Sequence, residues 1–359
     1  MIKIAIIVTK IDKYRIEFYQ MLSKSFNIDI FTFQKKEDAV TQGFFITNQM
    51  PNIQLKSIFI GRFLIYNIMP FINRKYKYIV VLGNVWHIST WILLFIGRIT
   101  GVKLIVWGHG ISMKRYIAES NNLPWIRICM YKLAYGAWFY TEMELNIYKK
   151  KMSRLIGVSL NNTISEVAKI VGLDVFSNVD KKYLKNKYQI NTKYNLIICT
   201  RFESTMRKSN ELLHVVKNIS KDWGLIIIGD GKLKPDFTKV KNVYDFGSVY
   251  DRKIKTDLFL IADLYIQLGH IGLSIVEAFA YKLPIITLKR SETIHHSMEY
   301  NYIINQKNGF ICENVLEVID KINLLDKELL SKMGKNAFEF VCNNLSMNNM
   351  CEKAISLMK

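Results

Sequence analysis

The stretch QLGHIGLSIVEAFAYKLPIIT, residues 267–287, decides the fold predicted for this chain. An apolar strand, Ala262 to Gln267, runs into a glycine-containing turn, a helix begins near Leu273, and Lys-Leu-Pro ends it before another apolar strand. This order of strand, loop, helix and strand is typical of a parallel α/β sheet. The loop before such a helix presents unpaired backbone N–H groups and the positive end of the helix dipole, which suit a diphosphate. Glu277 lies one turn into the helix, where it can accept hydrogen bonds from sugar hydroxyls.

The same residues carry a family resemblance. GLSIVEAFAYKLPII, residues 272–286, resembles the donor-binding signature E-G-F-G-L-x-x-x-E-A-x-A-x-G-x-P-V-I of retaining nucleotide-sugar glycosyltransferases of the GT-B type, family four (glycosyl transferases group 1). The positions that match in register are Gly272, Leu273, Glu277, Ala278, Ala280 and Pro284. One position departs, because the first Glu of the family's paired carboxylates falls on Gly269 and the next Gly on His270. That carboxylate normally touches the transferred sugar, so we expect Gly269 to open space there and His270 to offer a hydrogen-bonding ring.

A second part of the resemblance follows a strand predicted at Tyr194 to Thr200. Arg201, followed by Lys208 and Leu212-Leu213, is similar to the family's G-R-x-x-x-x-K-x-x-x-x-L-L pattern, in which the Arg and Lys grip the donor diphosphate. Two such charges can neutralise a leaving nucleoside diphosphate. The spacing is two residues longer than usual, so Arg207 competes with Lys208 for this role, and a solvated basic loop is a further alternative.

The remaining predicted site residues come from two other strand ends. VYDFGSV, residues 243–249, resembles the segment that lines the base pocket, through backbone atoms around Gly247 to Val249. His109 lies between two glycines after a predicted strand, where α/β proteins place ligands. The resemblance implies that it orients the donor sugar, whereas a lone His is more often structural. The predicted catalytic residues are His109, Arg201 and Lys208, and the donor-binding residues are Arg201, Lys208, Gly247, Val249, Gly269, His270, Gly272, Leu273, Ser274 and Glu277.

Length and resemblance together predict the architecture. At 359 residues and 50% hydrophobic composition, the chain can build two cores of ordinary domain size. The resemblance implies the α/β GT-B fold, with two Rossmann-like domains facing across a cleft. We predict an N-terminal acceptor-binding domain at 1–165, a nucleotide-sugar-binding domain at 166–343, and a C-terminal helix at 344–359 that returns to the first domain. Residues 181–194 are interpreted as a solvated connection between the domains.

The charge of the chain points to anionic partners. The formal net charge is +20, and most of it falls in the first 160 residues. This bias suits an anionic membrane surface or a pyrophosphate-bearing acceptor. Residues 56–77 are predicted to form a membrane-surface helix, with an ordinary core helix as the alternative, and residues 112–133 are a second candidate for lipid contact. Nucleic acid is not expected as a partner, since no nucleic-acid motif occurs.

The expected location is cytoplasmic and peripheral on the inner face of the cell membrane. Five cysteines without C-x-x-C spacing indicate buried, reduced thiols. The N-terminus lacks the apolar core and cleavage site of a signal peptide, and no stretch of some 18 to 20 residues is uninterrupted and apolar.

The predicted activity is retaining transfer of a hexose-type sugar from a nucleotide-diphosphate donor to a hydroxyl of a glycan or polyprenyl-linked acceptor, in surface polysaccharide assembly. No D-x-D motif ends a suitable strand, so neither a metal nor a cofactor beyond the donor substrate is expected. Two alternatives stay open. One is a non-catalytic, GT-B-like subunit that binds sugar nucleotides, since Gly269 replaces a usual carboxylate. The other is a sugar-nucleotide epimerase of the same architecture.

Overall fold

A computed structural model describes residues 1–33, 50–72, 75–172, 176 and 179–359. Its contacts divide the chain into two compact units, one formed by Met1–Ser165 with Met347–Lys359 and the other by Glu166–Ser346. The sequence predicts boundaries after residues 165 and 343, and the units divide after residues 165 and 346.

The first unit is built on a parallel sheet. In the described residues it has seven strands in the order β3-β2-β1-β6-β7-β8-β9. They are β1 (Lys3–Val8), β2 (Asn27–Thr32), β3 (Ile53–Gln54), β6 (Tyr78–Leu82), β7 (Lys103–Gly108), β8 (Gly136–Phe139) and β9 (Gly157–Ser159), and a separate hairpin is formed by β4 (Ser57–Ile60) and β5 (Phe63–Tyr66). The central strands are continuous apolar runs because helices cover both faces of a parallel sheet.

The helices of the first unit are short apart from one. They are α1 (Ile16–Ser23), α2 (Met69–Ile72), α3 (Ile88–Thr100), α4 (Tyr116–Asn121), α5 (Trp125–Leu133) and α6 (Glu142–Lys151), with a 3-10 turn at Lys13–Arg15. Helix α3 ends where Gly101 adopts a left-handed conformation with φ 77° and its N–H bonds the carbonyl of Gly97. Glycine favours this position because it has no Cβ.

The second unit has its own parallel sheet, with six strands in the described part in the order β12-β11-β10-β13-β14-β15. The strands are β10 (Tyr194–Cys199), β11 (Trp223–Ile228), β12 (Val243–Asp245), β13 (Leu264–Ile266), β14 (Ile285–Leu288) and β15 (Gly309–Cys312). The chain builds outward from β10 to one edge and then returns to build from β13 to the other edge. The strand order therefore reverses between β10 and β13.

The helices of the second unit begin at recognisable caps. They are α7 (Glu166–Val171), α8 (Lys181–Lys187), α9 (Ser209–Asn218), α10 (Arg252–Ile261), α11 (Ser274–Ala280), α12 (Val315–Leu324) and α13 (Lys327–Asn344), with 3-10 turns at Thr205–Arg207 and Met298–Tyr302. The carboxylates of Asp180, Asp251 and Asp326 each accept a hydrogen bond from the N–H three residues on. Asp is among the preferred residues at this position.

The last helix, α14 (Met347–Ser356), belongs to the first unit. It packs against α1, and Met350 and Ala354 are fully buried in the same apolar cluster as Ile4 and Phe18. The returning C-terminal helix predicted from the resemblance is therefore present.

Two predicted elements are wrong. Residues 56–77 do not form one helix, since β4 and β5 pair antiparallel from Ser57 with Tyr66 to Ile60 with Phe63. Gly61, with φ 58°, takes the turn, and the β-branched and aromatic residues on either side favour extended strands. Residues 73 and 74 of that segment lie outside the described residues.

Residues 181–187 are not a solvated connection. They form α8, and Lys181 pairs with Asp263 at 2.6 Å while Lys187 pairs with Asp257 at 2.7 Å. The polar sequence was misleading because these lysines have carboxylate partners on the body of the second unit. The cysteines form no disulfide, but only Cys312 and Cys351 are buried as predicted, whereas Cys129 and Cys199 are half-buried and Cys342 is exposed.

Candidate functional site

The predicted donor-binding residues meet at one edge of the second sheet. Arg201 follows β10, Gly247 follows β12, and the loop 267–273, which we call the donor loop, follows β13. The reversal of strand order between β10 and β13 opens a crevice at the carboxyl ends of the strands, and ligands of open α/β sheets bind there. The topology thus brings together every predicted site residue of the second unit.

Two glycines allow the loops after β10 and β11 to touch. Gly229 has φ 135°, and a Cβ there would lie 1.7 Å from the carbonyl oxygen of Thr200. Gly231 has φ 147°, and its Cβ would lie 2.6 Å from the backbone of Phe202. The N–H of Phe202 donates to the carbonyl of Asp230 at 2.9 Å. Arg201 is therefore carried by backbone that is fixed on both sides, while its own side chain is exposed.

The segment predicted to line a base pocket is tied to the same turn. Gly247 has φ 58°, its N–H donates to Asp245 at 3.0 Å, and its carbonyl accepts from Gly229 at 2.6 Å. Lys234 holds the Asp245 carboxylate at 2.7 Å. If the N–H of Gly247 bonded to the base of a nucleotide, that bond would have to replace its hydrogen bond to Asp245. Val249, two residues further on, is half-buried.

Glu277 has a partner that the sequence did not reveal. The residue is 9% exposed, and Lys255 on α10 contacts both of its carboxylate oxygens, at 2.7 and 2.8 Å. Burial opposes the charge on Lys255, but Cys199 and Glu277 outweigh it and raise the pKa of the lysine. Lys255 therefore orients the carboxylate of Glu277, and the carboxylate oxygens can accept further hydrogen bonds. Lys253 and Lys255 both lie on α10, and the packing of this helix decides which of them meets Glu277. No sequence motif identifies Lys255 as the partner.

A buried tyrosine links the two strands at the switch point. The Tyr265 hydroxyl contacts the carbonyl of Cys199 at 3.2 Å and Oε1 of Gln267 at 3.1 Å. Burial raises the pKa of Tyr265, which keeps the hydroxyl protonated as a donor. Gln267 Nε2 in turn donates to the carbonyl of Gly269 at 3.1 Å. The start of the donor loop is thus fixed by hydrogen bonds that reach back to β10.

The prediction that Gly269 opens space is wrong. A Cβ at this position would lie 2.1 Å from the carbonyl oxygen of Met206 and 2.7 Å from Cγ of Lys208. The 3-10 turn Thr205–Arg207 and Lys208, which has φ 57°, occupy that volume. This is the loop that is two residues longer than the family pattern. The longer loop and the missing side chain are therefore complementary, and a carboxylate does not fit at 269 beside this loop.

Arg207 and Lys208 have different surroundings. The Arg207 guanidinium donates to the carbonyl of His270 at 2.7 Å, so it holds the donor loop in place. Lys208 pairs with Glu211 at 3.2 Å and remains partly exposed. Because Arg207 is committed to the backbone, Lys208 is the better placed of the two to meet a ligand.

Two histidines shape the rest of the donor loop. His270 has φ 38°, and its buried Nδ1 has no hydrogen-bond partner. Burial and the nearby Arg207 lower the pKa of His270, so its ring is neutral at pH 7. His296 is fully buried, accepts from the N–H of Ile271 at 3.1 Å and lies 2.9 Å from the carbonyl of Leu288. These two bonds assign its proton to Nε2, and burial lowers the pKa of His296 to about 3.

Beyond the histidines the loop opens toward solvent space. A Cβ at Gly272 would meet no atom within 4 Å, and α11 begins two residues later at Ser274. The first N–H groups of a helix have no intrahelical acceptor. Gly272, Leu273 and Ser274 therefore present backbone donors next to the space that Arg201 and Lys208 border.

His109, the remaining predicted residue, lies in the first unit. It follows β7, and its ring packs 4.5 Å from the ring of Tyr140. The neighbouring Gly110 has φ 69°, and its carbonyl accepts from the Tyr148 hydroxyl at 2.7 Å. The backbone beside His109 is thus held firmly, and its role toward a sugar stays a prediction. In the described residues no group of three or more His, Cys, Asp or Glu side chains could hold a metal ion.

Comparison with known proteins confirms the resemblance. Residues 180–340 match the family model described as glycosyl transferases group 1. The structure resembles HepE of Anabaena in complex with UDP, with a TM-score of 0.70, 13% identity, and 100% of this chain and 99% of that chain covered. No curated protein sequence matches the chain.

Two further solved structures have the same architecture. A glycosyltransferase from Rickettsia africae has a TM-score of 0.63 and 16% identity, with 100% of this chain and 99% of that chain covered. The lipopolysaccharide outer core galactosyltransferase WaaB has a TM-score of 0.65 and 13% identity, with 99% of each chain covered. The chain has the α/β GT-B fold predicted from its sequence.

Proposed function

We propose that the protein is a glycosyltransferase that moves a sugar from a nucleoside diphosphate to a hydroxyl of a glycan or polyprenyl-linked acceptor, with retention and without a metal. The observation that carries this proposal is the family match over residues 180–340, which spans the crevice bordered by Arg201, Lys208 and the donor loop. HepE has been solved with UDP and glucose and with UDP-glucose, so uridine diphosphate sugars are the first donors to consider.

The diphosphate of the donor lies between the loop after β10 and the start of α11 in this proposal. Arg201 and Lys208 supply two positive charges, and the backbone from Gly272 to Ser274 supplies N–H donors. Charge-assisted bonds of this kind stabilise the negative charge that develops on a leaving diphosphate. Glu277, aimed by Lys255, accepts hydrogen bonds from the ribose hydroxyls.

The sugar is held without the carboxylate that the family normally supplies. The loop Met206 to Lys208 fills the place of that side chain, so contacts to the sugar fall to His270 and to backbone groups of the two loops. Because His270 is neutral with an unpartnered Nδ1, it can accept a hydrogen bond from a sugar hydroxyl once the loop shifts to admit it.

The chemical step needs no protein base in this proposal. The acceptor hydroxyl attacks the anomeric carbon on the face from which the diphosphate leaves. The bond to the phosphate oxygen breaks as the new glycosidic bond forms, and the departing oxygen takes the hydroxyl proton. The protein contributes charge stabilisation through Arg201 and Lys208.

Diphosphate release from a panel of nucleotide sugars, with and without a glycan acceptor, tests the proposal. We expect release with a restricted set of donors, and we expect Arg201→Ala and Lys208→Ala to lower kcat more than they raise the KM for the donor. Arg207→Ala should also lower Tm, because it removes the hydrogen bond that holds the donor loop at His270. Tight diphosphate binding with no turnover for any donor would favour the non-catalytic alternative, and sugar isomerisation without diphosphate release would favour an epimerase.

A further inference from the structure

The first unit carries an apolar surface that none of the described residues covers. It consists of the hairpin β4–β5, helix α3 and the start of helix α5, and we call it the apolar face. Its outward side chains are more than a third exposed and comprise Ile58, Phe59, Ile60, Phe63, Ile65, Ile92, Phe95, Ile99 and Trp125. Monomeric soluble proteins rarely expose contiguous apolar patches of this kind unless the patch has a function.

Helix α3 is apolar on both of its sides. Leu93, Leu94 and Gly97 face the core, whereas Ile92, Phe95 and Ile99 form an exposed stripe at spacings of three and four residues. An ordinary surface helix has polar residues on its outer side. The exposed stripe of α3 is therefore suited to contact with an apolar environment outside the protein core, and not to contact with water.

The hairpin and α3 are held together as one surface. The N–H of Tyr66 donates to Ser89 Oγ at 2.8 Å, and that hydroxyl donates back to the carbonyl of Tyr66 at 2.7 Å. The Tyr66 hydroxyl also lies 2.9 Å from Thr90 Oγ1. Helix α3 packs against α5 on its other side. The base of the hairpin is thus fixed to α3.

The exposed charge in the described part of residues 51–141, which carry this face, has one sign. Between residues 51 and 141 the sequence contains a single carboxylate, Glu119. It is buried and paired with Arg115 at 2.8 Å and Arg127 at 2.9 Å. The described part of this stretch therefore exposes no carboxylate. The exposed basic side chains of this stretch include Lys56, Arg62, Arg98, Lys114, Arg115 and Lys132.

Basic residues also line a cavity at the ends of α3 and α5. Its volume is about 490 Å³, and Arg98, Lys132, Lys151 and Arg154 are among its lining residues. Arg98 is adjacent in sequence to Ile99, the last residue of the exposed stripe. An apolar surface next to a basic cavity suits a molecule that combines acyl chains with a phosphate headgroup.

We propose that the apolar face docks onto an anionic membrane, with the hairpin tip and the stripe of α3 entering the headgroup region. In the described residues no helix is both long and apolar enough to cross a bilayer. Apolar area combined with basic charge is how interfacial elements bind lipid, and each Lys or Arg near an anionic surface contributes about 1 kcal/mol. A second copy of the chain is a poorer occupant, because a symmetric contact through this face would bring its basic rims together. The proposal depends on residues outside the donor site and does not require transfer activity.

Vesicle co-sedimentation tests this proposal. The full chain is mixed with vesicles of phosphatidylcholine alone or with phosphatidylglycerol, at low and physiological salt. We expect binding to the anionic vesicles that weakens as salt rises, since exposed charges are screened over about 8 Å at physiological salt. The paired variants Phe59→Ser/Ile60→Ser and Phe95→Ser/Ile99→Ser should each weaken binding at least tenfold.

The matched control changes exposed leucines of the second unit. Leu316 and Leu324 on α12 are 66% and 79% exposed, and Leu316→Ser/Leu324→Ser should bind vesicles as the parent does. Circular dichroism and Tm should be unchanged in all three variants, because the replaced side chains make few contacts. Equal binding to neutral and anionic vesicles, or equal binding by all variants, would overturn the proposal. So would a dimer in sedimentation velocity that the Phe59→Ser/Ile60→Ser variant dissociates while vesicle binding is absent.

Discussion

Glu277 and Lys255 form the pair on which donor binding depends most in this account. Glu277→Gln keeps the shape of the side chain but removes the charge that accepts hydroxyl hydrogen bonds, and a hydrogen bond to a charged group contributes about 1.5 to 3 kcal/mol. We therefore expect affinity for a nucleoside diphosphate to fall by about tenfold or more in isothermal titration. Lys255→Met should weaken it as well, because it leaves the buried carboxylate unpaired.

Glu313→Gln is the control for this pair, since Glu313 is an exposed carboxylate that pairs with Lys289 at 2.6 Å. It should leave the affinity unchanged. Parent-like affinity in both Glu277→Gln and Lys255→Met would remove the pair from the binding site.

Gly269 is predicted to be intolerant of any side chain. Gly269→Ala places a methyl group against the carbonyl of Met206, which must move together with the loop that carries Lys208. Overpacking of this kind typically costs about 1 to 3 kcal/mol. We expect a clear drop in Tm for Gly269→Ala and Gly269→Glu, and no recovery of activity from the restored carboxylate.

Gly272→Ala provides the comparison in the same loop, because the space around Gly272 is open and its Tm should stay close to that of the parent. If Gly269→Ala melts at the parent temperature, the loop after β10 does not close over Gly269 as described.

The candidate site was only partly predictable from individual residues. Arg201 and Glu277 were found because each stands at a fixed distance from a strand end in a motif. Lys255 was not found, since its contact with Glu277 depends on how α10 packs against α11. Met206 and Gly269, which are in contact, are 63 residues apart in sequence. The spacing of a motif does not show that this contact leaves no room for a side chain at position 269.

At the scale of elements, His296 connects the donor loop to the turn Met298–Tyr302. Its pKa is lowered by burial to about 3 in the folded protein, against an ordinary value of 6.5. As the pH falls below 6.5, His296 therefore binds a proton in the unfolded chain but stays neutral in the folded chain until the pH approaches 3. The stabilising contribution is complete above pH 6.5 and is lost progressively as the pH falls toward 3. Burial also lowers the pKa of His87 to about 4, which acts in the same direction.

Urea unfolding at pH 7, 6 and 5 measures this effect. We expect the free energy of unfolding to fall with pH by up to about 1.4 kcal/mol per pH unit for each such histidine. His296→Asn, which retains an acceptor for the N–H of Ile271, should show a shallower pH dependence. A slope identical to that of the parent would mean that His296 titrates alike in the folded and unfolded chains.

Strands were predicted better than the hairpin for a physical reason. Buried parallel strands such as Tyr78–Leu82 and Tyr194–Cys199 are short, uninterrupted apolar runs between polar turns, and the sequence marks them directly. The segment over 57–66 is apolar without a clear period, because β4 exposes Ile58, Phe59 and Ile60 in succession and β5 has large apolar or aromatic residues on its buried and its exposed face alike. Alternation marks a strand only where polar residues lie on its exposed face, and residues 57–66 lack that mark.

At the scale of the whole molecule, α14 completes the core of the first unit. Met347, Met350, Leu357 and Met358 are buried there, each contributing about 1.5 to 3 kcal/mol by burial. Their sum is comparable to the whole stability of a typical domain, about 5 to 15 kcal/mol. Deletion of residues 347–359 should therefore unfold the first unit, seen as a loss of its cooperative transition in calorimetry. A truncated chain with the parent's melting profile would contradict this role of the helix.

The proposed function requires that a nucleoside diphosphate bind at the carboxyl ends of β10, β11 and β13, where the strand order reverses. Hydrogen–deuterium exchange of the full chain, with and without saturating UDP, tests it most directly. We expect slower exchange on binding at residues 201–208, 229–232 and 269–277, and unchanged exchange in the hairpin of the apolar face. Protection confined to other strand ends, with these three segments unaffected at saturation, would contradict it.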